Sequence, residues 1–142
     1  MLVCAQSVKS GAAGHVLGLC WPEDTAVAAK DAGAEAVVVD CTDPRAVAQA
    51  VHSGFDGLEA DVVFVCANVP GCEGGAILAC KDGGRVVFFS MATSFTAAAL
   101  TAEGLGRSCE MIIGNGFVPG HAELALDLVR SDPRLLERFA RR

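Results

Sequence analysis

Three apolar runs along the chain stop abruptly at small polar residues. Asp61-Val62-Val63-Phe64-Val65-Cys66 runs into Ala67-Asn68-Val69-Pro70-Gly71. Arg85-Val86-Val87-Phe88-Phe89 follows the glycine turn Gly83-Gly84 and runs into Ser90-Met91-Ala92-Thr93-Ser94. Met111-Ile112-Ile113 runs into Gly114-Asn115-Gly116. Short continuous apolar runs bounded by turn signals predict strands buried on both faces, as in a parallel sheet. Two further strands are predicted at His15–Cys20 and at Ala36–Asp40.

Helix signals fill the intervals. Residues 1–13 carry an apolar face from Met1, Leu2, Val3, Cys4, Ala5 and Val8, with Gly11 or Gly14 as a stop. Pro22-Glu23-Asp24 opens a second helix that ends near Gly33, with its acids in the first turn. Asp43 is the expected N-cap of a third, which runs to about Ser53. Others are expected from about Gly71 to Cys80, weakened by Gly74 and Gly75, over 96–103 and over 120–130. Asp132-Pro133 caps a last one, Arg134 to Ala140. Strand and helix alternate five times. This predicts an α/β domain with right-handed crossovers and a doubly wound, mostly parallel, Rossmann-like sheet of five strands. In such sheets ligands lie outside the carboxyl ends of the strands, where the small polar residues fall.

With 142 residues the chain is one domain of ordinary size, and 52% hydrophobic residues suit doubly covered strands and alanine-rich helices. No apolar run nears the ~18 residues of a membrane span, and the N-terminus lacks the basic region of a signal peptide. A cytoplasmic protein without a membrane partner is expected. A net charge of −6 with no basic block argues against nucleic acid. Arg134, Arg138, Arg141 and Arg142 read as a solvated helix face. The seven cysteines form no CxxC pair and share no ligand spacing with His15, His52 and His121, so no metal site is expected. Most of them read as small buried hydrophobes in a reducing compartment.

Two features are out of place for a dinucleotide fold. The phosphate loop Gly-x-Gly-x-x-Gly is not in this sequence, and Gly11, Gly14 and Gly18 have the wrong spacing for it. An apolar helical face also starts at residue 1 with no capping residue before it. Together they imply that the first strand and its glycine loop precede Met1, which is then an internal methionine or a start placed too late. In the order 3-2-1-4-5-6 that strand is central. Without it, either the strands at His15–Cys20 and Asp61–Cys66 pair directly, or unsatisfied edges remain.

Several blocks of the chain resemble the L-erythro-3,5-diaminohexanoate dehydrogenases, built like the medium-chain alcohol dehydrogenases. They are Asn68-Val69-Pro70-Gly71, Asp82-Gly83-Gly84, Phe88 through Leu100, Ala102-Glu103-Gly104-Leu105-Gly106, Ile112 through Gly116, and Gly120-His121-Ala122-Glu123. The resemblance implies oxidative deamination of a 3,5-diamino acid with NAD as hydride acceptor and release of ammonia. It implies a small-molecule amino-acid substrate and a homo-oligomer. By position, Asn68, Val69 and Pro70 would lie along the nicotinamide ribose and ring, and Ser90, Met91 and Ala92 would pack or hydrogen-bond near the ring. Gly114 and Asn115 would offer backbone groups to the carboxamide. The chain then corresponds to a truncated dinucleotide-binding domain over 1–142, without the substrate domain and inactive alone. NADP stays open, because the second Rossmann strand ends Leu19-Cys20-Trp21 without the usual ribose-binding acid. Glu23 or Asp24 either stands in for that acid or caps the helix, and Trp21 either stacks on adenine or packs. His121 is a weak catalytic candidate as an acid or base, against capping or hydrogen bonding in the core.

Two other readings remain. One is a complete flavodoxin-like binding or signalling module, although the first strand ends without the acids of a receiver or the Ser/Thr-rich loop of a flavodoxin. The other is a non-catalytic oligomerisation domain.

Overall fold

The computed structural model describes residues 1–114 and 118–140. All five expected strands are present and each pairs in parallel, with seven helices among the described residues. They fall into two compact units, Met1–Val38 with Gly116–Arg142, and Val39–Asn115.

The first unit holds α1 (Leu2–Lys9), β1 (Leu17–Cys20), α2 (Asp24–Asp31) and β2 (Glu35–Val38), and, after the second unit, α6 (His121–Arg130) and α7 (Pro133–Ala140). β1 and β2 form a two-stranded sheet, with Leu17 opposite Glu35 and Cys20 opposite Val38. α1 starts without a side-chain cap, as its sequence suggested. A Cβ at Gly18 would come within 2.9 Å of the Ala29 Cβ, so glycine on β1 and alanine on α2 permit close packing. Ala5, Ala32, Leu128 and Leu135 form the core cluster of this unit.

Several local expectations are corrected here. Trp21 is 61% exposed, so it does not pack into the core. Glu23 makes no side-chain cap bond; instead the Thr25 hydroxyl donates to the Pro22 carbonyl at 2.7 Å, and Pro22 lies before the helix. Asp24 stands in the first turn, where its charge suits the helix dipole. Arg138 is not a solvated residue: it donates to Asp31 at 2.8 Å with both side chains about two-thirds buried. Arg134 bonds Asp132, and the Asp132 carboxylate accepts from the Arg134 N–H at 3.0 Å, which caps α7 as expected. Arg141 and Arg142 lie outside the described residues.

The second unit holds α3 (Pro44–Gly54), β3 (Ala60–Val65), α4 (Glu73–Ala79), β4 (Cys80–Phe88), α5 (Phe95–Leu105) and β5 (Glu110–Ile113). Its sheet runs β3-β4-β5. Asp43 caps α3 as predicted, accepting from the N–H groups of Arg45 and Ala46. The core of this unit gathers Val65, Ile77, Cys80, Val86, Phe88 and Ala98. Burial on both faces, expected from the sequence, is not what the structure has: Val63 and Val65 lie against this core, while Val62 and Phe64 on the other face are 44% and 45% exposed, as alternation along a half-covered strand dictates. α5 stops at Gly106, whose φ of 63° suits a left-handed cap.

The glycine turn Gly83-Gly84 lies within β4 rather than before it. Ala60 pairs with Cys80 and Val62 with Arg85, so Asp61 alone faces the excursion Lys81–Gly84. Gly83 has φ 72° there, and a Cβ at Gly84 would reach 2.7 Å from the Cys80 sulfur. Cys80 therefore belongs to a strand, not to the helix expected to contain it.

The strands do not form one sheet. Among the described residues β1 pairs with β2 and β3 with β4, so the direct closure considered from the sequence is not seen. The order inside each sheet matches the corresponding part of the Rossmann order, 3-2 and 4-5-6. Among the described residues, one edge of β1 and one edge of β3 carry no strand.

Candidate functional site

The residues that the sequence singled out after β3 and after β4 are joined in the second unit. Beyond Val65 the chain runs through Asn68 to a turn at Val69-Pro70-Gly71-Cys72. Pro70 presets φ for its second position, and Gly71 takes φ 92° at its third. The Cys72 thiol donates to the Val69 carbonyl at 3.3 Å and closes the turn. Burial pushes the Cys72 thiol above its ordinary range, with the charge of Glu73 adding to the effect.

Beyond Phe88, Phe89 extends the ladder by donating its N–H to the Val65 carbonyl at 3.0 Å. Ser90 then leaves the sheet. Its hydroxyl donates to the Asn68 side-chain oxygen at 3.4 Å and accepts from the Ala92 N–H at 3.1 Å. One hydroxyl thus shapes its own loop and ties it to its neighbour. At the far end of the loop the Ser94 N–H donates to a carboxylate oxygen of Glu73 at 2.6 Å. The two loops are therefore linked at two points.

Against the second loop lies a small pocket of about 130 Å³, lined by Phe88, Phe89, Ser90, Met91, Phe95 and Ile113; Asn68, Val69, Pro70, Ala92 and Gly114 do not line it. Phe89 stacks on Phe64 with ring centroids 6.3 Å apart. Pockets for whole drug-sized ligands span ~300–1,000 Å³, so this one suits a single ring rather than a dinucleotide. Met91 is 85% exposed and Val69 47% exposed, leaving apolar surface open at the mouth of the strands.

Gly114 is placed differently from its expected role. Its N–H donates to the Phe88 carbonyl at 2.9 Å and continues the β4–β5 ladder, so only its carbonyl is left to offer a ligand. A Cβ here would meet the Phe89 ring at 2.9 Å, so packing alone accounts for the glycine. Asn115 lies outside the described residues. His121 belongs to the first unit, at the exposed start of α6, with Nδ1 2.7 Å from the Val118 carbonyl. That is a local contact at a helix start and not a core bond.

The chemistry of the linked loops is that of recognition. Residues 67–71 and 89–95 contain no histidine, lysine, arginine or carboxylate. They offer hydroxyl, amide and backbone groups beside aromatic and aliphatic surface, which orient a ligand without transferring protons. Glu73 escaped the sequence reading. A weak signal for it exists, because Ser94 begins a helix whose third residue, Ala97, cannot return the capping bond. The cysteines divide. Cys20, Cys72 and Cys80 are buried as expected, whereas Cys66, at the end of β3, is exposed.

Parallel strands alternating with helices, with polar loops at their carboxyl ends, define a mixed α/β domain. The crystal structure of AibC shares this fold, with a TM-score of 0.66 at 20% identity over 92% of this chain and 38% of that one. Curated homologues bear the name L-erythro-3,5-diaminohexanoate dehydrogenase. The one from Acetoanaerobium sticklandii is 39% identical over 133 residues, covering 92% of this chain and 39% of its own length. The one from Fusobacterium nucleatum subsp. nucleatum is 45% identical over 103 residues, or 72% of this chain and 30% of its own. The chain thus spans less than two fifths of the curated relatives it matches, and they are oxidoreductases by name. No protein-family model matches it.

Proposed function

We propose that this chain is the cofactor-binding part of a nicotinamide-dependent dehydrogenase acting on L-erythro-3,5-diaminohexanoate in lysine fermentation, with NAD as hydride acceptor. The observation that carries the reading is the homology: 39% identity along 92% of the chain to an enzyme of that name. The geometry supports it so far as Asn68 and Ser90, assigned to the cofactor by the family resemblance, are hydrogen-bonded to one another, and Ser90 and Met91 line a small pocket.

The donor set suits the nicotinamide end of the cofactor. Ser90 and Asn68 supply polar atoms for the ribose and carboxamide. Val69, Pro70, Met91 and Ala92 supply apolar contact for the ring, and Gly114 a carbonyl. The donor set does not suit the rest of the dinucleotide, since this sequence has no glycine loop for the pyrophosphate and no acid at the end of β1 for the adenosine ribose. A nicotinamide held there would supply the hydride acceptor for oxidation of an amine-bearing carbon, the reaction whose hydrolysed product is an amino-oxo acid with release of ammonia. The loops would contact one face of the ring and so fix its orientation. The acid–base groups of the reaction and the grip on the phosphates are assigned to the rest of the enzyme.

Activity on 3,5-diaminohexanoate with NAD tests this, measured for this chain and for the polypeptide extended upstream. Turnover is expected from the extended protein only. Turnover by this chain alone overturns the domain assignment, and a folded extended protein without turnover overturns the substrate.

A further inference from the structure

Glu73 is a buried carboxylate that the proposed function leaves without a role. It is 5% exposed and is the first residue of α4. A carboxylate taken out of water is costly unless charge and hydrogen bonds compensate it. The compensation comes from another element: the N–H of Ser94, at the start of α5, donates to Glu73 Oε1 at 2.6 Å. The positive end of the α5 dipole adds to it.

The pairing has a recognisable form. In a capping box the N-cap side chain accepts from the N–H of the third helical residue, whose acidic side chain accepts the N-cap N–H in return. Ser94 makes the first half, accepting from the Ala97 N–H at 3.2 Å. The second half is impossible within α5, because the third residue is Ala97. Glu73 provides it from α4. The box is split between two elements, and its halves, Glu73 at the start of α4 and Ser94 at the start of α5, directly follow the two loops that Ser90 and Asn68 also join.

We propose that Glu73 is a positioning residue. It completes the α5 capping box from α4 and so holds the Ser90–Ser94 loop in register with the Asn68–Gly71 loop, in the shape that receives the nicotinamide end of the cofactor. The last clause rests on the function proposed above; the split box does not.

The test compares Glu73→Leu, Glu73→Gln and the double change Glu73→Leu with Ala97→Glu, using this chain and nicotinamide mononucleotide as the probe. Ala97 is exposed, so a glutamate there restores capping within α5 without restoring the link between loops. Glu73→Leu is expected to speed amide exchange of residues 92–94 about ten-fold relative to Ile77, and to weaken mononucleotide binding about five-fold. Glu73→Gln, which keeps an acceptor, is expected to stay within about two-fold of wild type on both. The double variant is expected to regain exchange protection at Ser94 but not binding. Unchanged exchange in Glu73→Leu overturns the tether, and recovered binding in the double variant reduces Glu73 to a helix cap and overturns the positioning role. Wild-type protein that binds no mononucleotide overturns the cofactor reading of the site, while the exchange result still decides the split box. If Glu73→Leu does not fold, scalar coupling across the hydrogen bond between the Ser94 nitrogen and the Glu73 carboxyl carbon decides it in the wild type: a resolved coupling supports the box, its absence overturns it.

Discussion

Gly75 lies in the middle of α4, where helix propensity alone favours alanine by ~1 kcal/mol. The packing of α4 against α3 opposes that gain. A Cβ at Gly75 would stand 3.0 Å from Val47 Cβ, 3.0 Å from its Cγ2 and 3.1 Å from its Cγ1. Val47 is 4% exposed, and the atoms met include its stem, so a rotamer change does not relieve the contact. Overpacking of this kind costs ~1–3 kcal/mol. Gly75→Ala should therefore destabilise the chain by a net ~1 kcal/mol, about 4 °C in Tm for a domain of this size. The same substitution in a Val47→Ala background should cost less and come close to neutral, because both methyls are gone while the Cβ at 3.0 Å remains. Urea denaturation of the four proteins closes a double-mutant cycle. Stabilisation by Gly75→Ala in the wild-type background would refute the close approach of α4 to α3 and the packing that seats Glu73.

Three other outcomes follow. Arg138→Ala should lower stability by about 1 kcal/mol, read as a drop of about 4 °C in Tm, since it removes the partner of Asp31; an unchanged Tm contradicts the tie between α7 and α2. Burial pushes the Cys80 thiol from 9.0 up to about 11. The unfolded chain then loses its proton first, so stability falls as pH rises from about 9 to 11 by on the order of 2–3 kcal/mol, and Cys80→Ala should flatten that fall in urea titrations. Ser90→Ala removes the bond to Asn68 and the bond from the Ala92 N–H, and should weaken nicotinamide mononucleotide about five-fold with a stability loss of about 1 kcal/mol, by calorimetry and thermal melts; undiminished affinity removes Ser90 from the site.

Apolar continuity and helix signals were enough to foresee the existence of every strand and most of their bounds, because apolar runs and Asp43-Pro44 or Asp132-Pro133 starts have strong local causes, but not the five extra residues at the start of β4 or the open face of β3 and β5. The loops at Asn68 and Ser90 were legible for the same reason: the apolar runs end there. What escaped depends on contacts distant in sequence. The burial of Glu73 is set by where α5 begins, and the engagement of the Gly114 N–H by the register of β5 on β4. Arg138 looked like a solvated charge because nothing near it in the sequence points to Asp31, 107 residues away. Gly83-Gly84 read as a turn before a strand, since the pairing of Ala60 with Cys80, upstream of the glycines, has no local signal.

The central claim is that the linked loops after β3 and β4 receive the nicotinamide end of a dinucleotide. Nicotinamide mononucleotide addresses it most directly, because it carries that end without the pyrophosphate bridge for which this sequence has no glycine loop. In a titration followed by amide chemical shifts, the account predicts perturbations concentrated at Asn68, Val69, Ser90, Met91, Ala92 and Gly114. Perturbations confined to other residues, or none at several times the concentration that saturates an intact nicotinamide-dependent dehydrogenase, would contradict it.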